Sequence, residues 1–176
     1  MSHQPNRRAD ATDVAPYYLN YVNRVKTTDV VEALRHQIDD SLRALRDLPT
    51  ERWSYAYAPG KWTIRQKYQH VIDTERMMTA RALRIARGDQ TPIPGFDQNL
   101  YAASEHSASR SPESLIEEWV VVRRGTVLFF DHLQHDAWNR QGTASDVPVT
   151  VLGLAYIIAG HELHHLELLK ERYIGR

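Results

Sequence analysis

The chain has 176 residues, 42% hydrophobic and 25% charged, with 22 Lys plus Arg against 22 Asp plus Glu. That composition fits one globular domain with a core of its own, and the charge balance excludes a net field that would gather nucleic acid or an anionic membrane. The absence of cysteine excludes disulfides, thiolate ligands and a cysteine nucleophile, so any metal must be held by nitrogen and oxygen.

There is no apolar run of about 18 residues and no signal-peptide core at the polar start, so the expected location is the cytoplasm, with no membrane partner. Residues 1–15 read as a flexible tail ahead of a single domain over residues 16–176. Tyr17 to Val22 can form a short helix on its surface.

Four longer helices follow. The first opens at Asp29, with Glu32 three residues on as a capping pair, and runs to about Asp47 before Pro49. Val30, Leu34, Ile38, Leu42 and Leu45 give it one apolar face. Residues 48–62 form an aromatic loop, with Trp53, Tyr55, Tyr57 and Trp62, that either covers one end of the helices or lines a pocket. Thr63 and Gln66 make a second capping box, opening a helix from Ile64 to Arg87 with Gly88 as its stop. Glu75 falls in the middle of that helix's apolar face and therefore needs a partner. His70 lies roughly 130° from the centre of the face, so periodicity alone does not select it.

Residues 89–111, with Pro92, Pro94 and Gly95, form a connection long enough to act as a functional cover or to carry the chain back to the other end. Ser111-Pro112 starts a third helix reaching about His135. After a loop over residues 136–149, Thr150 caps a fourth that runs to about Tyr173. With no convincing strand, the expected architecture is an all-α four-helix bundle. Tyr156, Leu163 and Leu166 lie off the main apolar face of the last helix and imply a second buried surface, either a homodimer interface or packing by residues 16–26.

The chemistry concentrates in Gly160-His161-Glu162-Leu163-His164-His165-Leu166, which holds three of the nine histidines. On a wheel of about 100° per residue, His161 and His165 both lie within roughly 20° of the centre of the inward face set by Leu154, Ile157, Ile158, Leu168 and Leu169. Their i, i+4 spacing puts the Cβ atoms about 5–6 Å apart, which suits two imidazoles meeting one ion at about 2.0–2.1 Å. Two neutral imidazoles on a buried face need partners, and a shared cation supplies them. His164 sits roughly 80° off, facing solvent, a neighbouring chain or the rim. His36 reads as an exposed helix residue, and His132 and His135 as residues favoured by a helix C-terminus.

Pro59-Gly60-Lys61-Trp62-Thr63-Ile64-Arg65, then His70 with Asp73 and Glu75, then Gly95-Phe96-Asp97-Gln98, then Gly160-His161-Glu162-Leu163-His164-His165 together resemble the DinB-like family over about residues 29–173. The resemblance implies a bundle with up-down-down-up topology and a long crossover between its second and third helices. It also implies a frequent homodimer and one divalent ion on three histidines, which map onto His70, His161 and His165. Relatives of this kind include S-transferases that use low-molecular-weight thiols. The expected function is thus a metal-dependent transferase or hydrolase acting on a small-molecule substrate, with zinc, nickel or iron at an open site. A rival reading takes His161-Glu162-Leu163-His164-His165 as the H-E-x-x-H zinc-peptidase signature. A third is a stress-related metal-binding or interaction protein in which the ion only stabilises the bundle.

Overall fold

The computed structural model describes residues 4–174. In chain order, α1 (Leu19–Val22) is a single turn, α2 (Val30–Arg46), α3 (Ile64–Ala86), α5 (Pro112–Asp131) and α6 (Val151–Leu168) are the long helices, and α4 (Gln98–Ser104) lies between α3 and α5. Each long helix begins where a side chain accepts an unpaired N–H of the first turn. Asp29 accepts from Glu32, Ser111 from Ser114 ahead of Pro112, and Thr150 from Gly153, while Thr63 and Gln66 complete a reciprocal capping box. These starts agree with the sequence expectation. The ends differ: α5 stops at Asp131 with His135 in a separate 3-10 turn, and beyond Leu168 the chain winds on as a π-helical turn from Leu169 to Ile174.

Contacts between helices fix their directions. Glu75 meets Arg123 and Thr79 meets Thr126, so α3 and α5 run parallel. Gln37 meets Ala159 and Ser41 meets Glu162, so α2 and α6 run parallel. Arg35 meets Asp131 while Gln37 meets Arg123, which makes α2 and α5 antiparallel. The four-helix bundle is therefore up-down-down-up, and the connection between α3 and α5 is its crossover.

Two apolar clusters fill the bundle, one around Leu34, Phe130, Trp138 and Ile157, the other around Trp53, Tyr68, Trp119 and Tyr173. Between them, every long helix contributes buried polar side chains at mid-height: Gln37 and Ser41 from α2, His70, Thr74 and Glu75 from α3, Arg123 and Thr126 from α5, and His161, Glu162 and His165 from α6. A core split in this way places the functional chemistry in a layer inside the bundle rather than at its ends.

Three expectations are corrected. Residues 4–15 do not form a loose tail: Ala9, Asp13 and Val14 are buried, and Arg7 grips Asp13 with two hydrogen bonds of 2.6 and 2.9 Å. Asp13 also accepts from the Thr150 hydroxyl at 2.8 Å, and Gln4 caps α2 by accepting from Val30 N at 3.1 Å, so this segment braces the starts of two helices. Residues 1–3 of the expected tail lie outside the described residues.

The loop 136–149 contains a hairpin of β1 (Gln141–Ala144) and β2 (Val147–Thr150), joined through Ser145 and Asp146 with φ of 53° and 63°. Two successive residues with positive φ match the twist of a tight hairpin, and Asp tolerates that conformation. The second buried face of α6 is covered within the chain. Tyr156 donates to Thr27 O at 2.9 Å, and the α1 segment approaches so closely that a Cβ on Gly160 would lie 2.0 Å from Tyr21 O. That removes the reason for assigning Tyr156 to a homodimer interface. Among the described residues no helix is long and apolar enough to cross a membrane.

Candidate metal centre

The mid-height layer divides into two polar clusters. In the first, α3 supplies His70, while α6 supplies His161 and His165 one turn apart. The Nε2 atoms of His70 and His165 each lie 3.1 Å from His161 Nε2. The three rings offer ligand atoms that all lie within 4.8 Å of one another, and all three are buried. Three bonds of about 2.0–2.1 Å would separate nitrogen donors by about 3.3 Å at tetrahedral angles and about 2.9 Å at right angles. The observed 3.1 Å falls between, so the donor set fits one divalent ion.

Its electrostatics suit ligands too. Burial, followed by the charge of Lys67, pushes His70 down to about 4. Burial, then the neighbouring histidines, His70 for His161 and His161 for His165, lowers both well below the ordinary histidine value. All three are therefore neutral bases at physiological pH, the form that binds a metal. Thr74 Oγ1 lies 3.5 Å from His70 Nδ1, placed to orient that ring from behind. His165 Nδ1 is buried with no hydrogen-bond partner.

Aromatic rings close around the histidines. Trp62, from the expected aromatic loop, lies 4.9 Å from the His70 ring, and Tyr21 lies 5.4 Å from His161 and 5.6 Å from His164, ring centre to centre. His164 thus sits at the rim, half-buried. Trp53 is core, so the loop both seals one end and walls the site. A cavity of about 630 Å³ opens onto His70 and His161, lined also by Tyr21, Arg81, Phe96 and Asp97. A smaller one of about 280 Å³ reaches His165 past Trp62, Lys67 and Tyr173. The crossover connection supplies Gly95 to Asn99 to these walls, which is the covering role expected of it.

The second cluster takes Glu162 and Glu75 elsewhere. Glu75 receives two hydrogen bonds from the fully buried Arg123, at 2.8 and 2.9 Å, and Arg123 also donates to Gln37 at 2.7 Å. Glu162 accepts from Ser41 at 2.5 Å, and burial raises its pKa. It is absent from the group that converges with the histidines. A zinc peptidase needs this glutamate beside the ion's open position, and here the side chain turns to the other side of the helix. Asp73 is held by Gln69 at 3.0 Å, His36 pairs with Glu32, and His132 bonds back to Leu128 O, all apart from the cluster.

A sequence profile of the DinB superfamily matches residues 33–169. The chain belongs to the DinB superfamily. A protein of Oceanobacillus iheyensis named "Putative metal-dependent hydrolase" is 27% identical over 147 residues, covering 80% of this chain and 79% of that one. The structure of YfiT from Bacillus subtilis, described as "a probable metal-dependent hydrolase with an unusual four-helix bundle topology", superposes with a TM-score of 0.74 at 14% identity, covering 94% of this chain and 91% of YfiT. At that identity the likeness establishes the fold, a four-helix bundle.

Sequence reading did not single out Lys67, Thr74 or Arg81. With His70 and Met78 they form one stripe on α3, at offsets of three, four, four and three residues. The stripe is buried yet largely polar, so a wheel scored by apolar residues places it outside. Its signal was a helical repeat of mostly polar residues bordering the apolar face, with Gln66, Asp73 and Arg84 on its other side.

Proposed function

We propose that His70, His161 and His165 hold one divalent ion, zinc, nickel or iron, and that the protein is a metal-dependent hydrolase acting on a small molecule. The observation that carries this reading is the convergence of three neutral imidazoles, two of which, His70 and His161, line a cavity large enough for a substrate. The names of the Oceanobacillus protein and of YfiT support the same class. When bound, such an ion would act as a Lewis acid that polarises a carbonyl and makes water a nucleophile near neutral pH.

The remaining roles fall to the chain. Thr74 orients His70. Tyr21, Trp62 and Phe96 exclude bulk water and strengthen the electrostatics of the site. Lys67 is lowered to about 8 by burial, its ammonium lies 4.3 Å from the centre of the Tyr173 ring, and it lines the cavity that reaches His165. It can hold or release a proton near neutral pH, the role for which the sequence offered no candidate.

One observation favours a second reading, transfer involving a low-molecular-weight thiol. Lys67 places a positive charge beside His70 and His165, and Arg81 adds a second at the far part of the cavity, a setting that stabilises a thiolate, while Glu162 is engaged elsewhere. A homodimer and a cytoplasmic location are retained as part of the proposal, the first to be read by gel filtration.

Metal analysis of the purified protein, together with a cobalt-substituted form titrated with a thiol and with azide, tests both readings. The expected result is about one ion per chain and a visible spectrum that changes on ligand addition. Ester or amide hydrolysis lost in His161→Ala selects the hydrolase, and thiol consumption by an electrophile lost in the same variant selects the transferase. A protein that takes up no divalent ion, or takes it up equally in His161→Ala, overturns the proposal.

A further inference from the structure

Arg81 is a buried charge without a countercharge. Only 3% of it is exposed, and none of the ion pairs among the described residues includes it. Its Nη2 donates to two neutral oxygens, Pro94 O at 3.0 Å and Ser145 Oγ at 3.1 Å, and its Nη1 reaches only the Met78 sulfur at 3.6 Å. Its Nε–H is buried with no acceptor. Arg123, equally buried, has Glu75 on two of its nitrogens. Burying a guanidinium without an anion is costly unless one arrives from outside.

The cavity supplies the place where an anion would arrive. Arg81 lines the same cavity as His70 and His161, on the same stripe of α3. Phe96 packs its ring 5.7 Å from the guanidinium carbon, and the Tyr18 hydroxyl feels both Arg81 and Ser145. Asp97 also lines this cavity, but its Oδ1 accepts from the first N–H groups of α4, at 2.8 and 3.2 Å. Eleven residues of helix separate His70 from Arg81, about 16 Å between Cα atoms, and helical side chains lean toward the N-terminus.

We propose that Arg81 is the specificity-determining residue of this site, and that it binds an oxyanion, a carboxylate or a phosphate monoester, at the end of the substrate remote from the histidines. The substrate is then a small organic anion whose apolar body lies against Tyr21 and Phe96. Its charged end sits in the part of the cavity remote from the point where the three Nε2 atoms meet, about three helical turns along α3 from His70. The hairpin turn at Ser145 and the crossover carbonyl of Pro94 aim the guanidinium by occupying the donors on one side of it. This deepens the function proposed above and rests on it for the reacting end alone, since the anion subsite requires no metal.

Calorimetric titration of the full-length protein tests the assignment, with 4-phenylbutyrate, its neutral amide and phenyl phosphate as probes, in chelator-treated and zinc-loaded forms. The expected result is that the acid or the phosphate binds at least 10-fold more tightly than the amide in both forms. Arg81→Gln should lose that preference, Arg81→Lys should keep it at 3- to 30-fold weaker binding, and Arg84→Gln, which removes an arginine of the same helix outside the cavity and paired with Asp89, should bind within 3-fold of wild type. Whichever oxyanion loses more affinity in Arg81→Gln is the one the site takes.

Equal binding of acid, phosphate and amide by wild type overturns the assignment. So does Arg84→Gln losing as much as Arg81→Gln, because the preference would then reflect the charge of the helix as a whole and not the buried guanidinium. Should Arg81→Gln fail to fold, the ratio of acid to amide affinity in Arg81→Lys decides: near one, the proposal falls. Oxyanion binding that depends on Arg81 in a protein without metal affinity would sink the metal reading and leave this one standing.

Discussion

His161 and Glu162 are neighbours in sequence, and they belong to two different buried polar clusters. Glu162 joins Ser41, near the pairing of Arg123 with Glu75 and Gln37, where charges face opposite charges and amides face carbonyls. His161 joins His70 and His165, where ring nitrogen faces ring nitrogen, Nε2 to Nε2. The first cluster pairs its charges and amides across α2, α3, α5 and α6, with Glu162 Oε2 left over, and therefore fixes how those helices meet. In the second, three neutral imidazoles point the same nitrogen inward and meet one another's rings, an arrangement that a shared electrophile would complete. Burial of polar groups alone does not mark a site; burial with convergent, unmatched donors does.

The sharpest way to break this contrast is to unbalance the paired cluster. Glu75→Ala leaves the Arg123 guanidinium buried without its anion and should destabilise the fold by about 3–5 kcal/mol, read by chemical denaturation. Replacing the pair together, Arg123→Met with Glu75→Leu, should recover most of that loss. If Glu75→Ala is neutral, the cluster does not hold the bundle together.

Acid should act on the histidine cluster instead. The unfolded chain binds protons at histidine near 6.5, whereas folded His70 does so only at about 4. As pH falls below about 6.5 the unfolded state gains protons first, so stability falls through this window and levels off below the folded value. For His70 the full difference is about 3 kcal/mol, and His161 and His165 shift in the same direction. The metal-free protein should therefore lose melting temperature between about pH 6.5 and 4, and His70→Gln should flatten the slope.

Ligand removal separates the clusters more finely. His161→Ala should weaken divalent-ion binding by at least about 100-fold, or about 2.7 kcal/mol, in equilibrium competition with a chromophoric chelator. Ser41→Ala, which touches only the other cluster, should leave ion affinity unchanged. Equal effects would mean that the two clusters act as one.

The smallest effect tests the wall beside the histidines. Gly160→Ala puts a methyl 2.0 Å from Tyr21 O, where backbone has no room to yield. The gain in helix propensity is outweighed, and a net loss of about 1–3 kcal/mol is expected from thermal unfolding. Tyr21 fluorescence quenching by iodide should rise as α1 lifts away from His161 and His164.

Much of this was legible in the sequence. Asp29, Thr63, Ser111 and Thr150 announced the helix starts because an N-cap is a local device that acts within four residues. His161 and His165 were legible because i, i+4 spacing on one face is likewise local. His70 came only from the family resemblance: it belongs to a buried polar stripe, and apolar periodicity has no way to count such a face as inside. The hairpin at Ser145 lacked the usual Asn-Gly signal. The packed residues 4–15 lacked apolar density and are held by Gln4, Arg7 and Asp13, whose partners are distant in the chain.

By itself, then, the sequence determined what short-range physics controls: four helices, their caps, and one inward-facing pair of imidazoles. Tertiary structure decided which groups meet across more than a hundred residues of chain, such as Ser41 with Glu162 and Asp13 with Thr150. It also decided that Glu162 turns away from the histidines while Arg81 shares their cavity. The reason is that a buried polar side chain carries no mark of its destination; only the packed bundle settles whether it finds a partner or is left awaiting one.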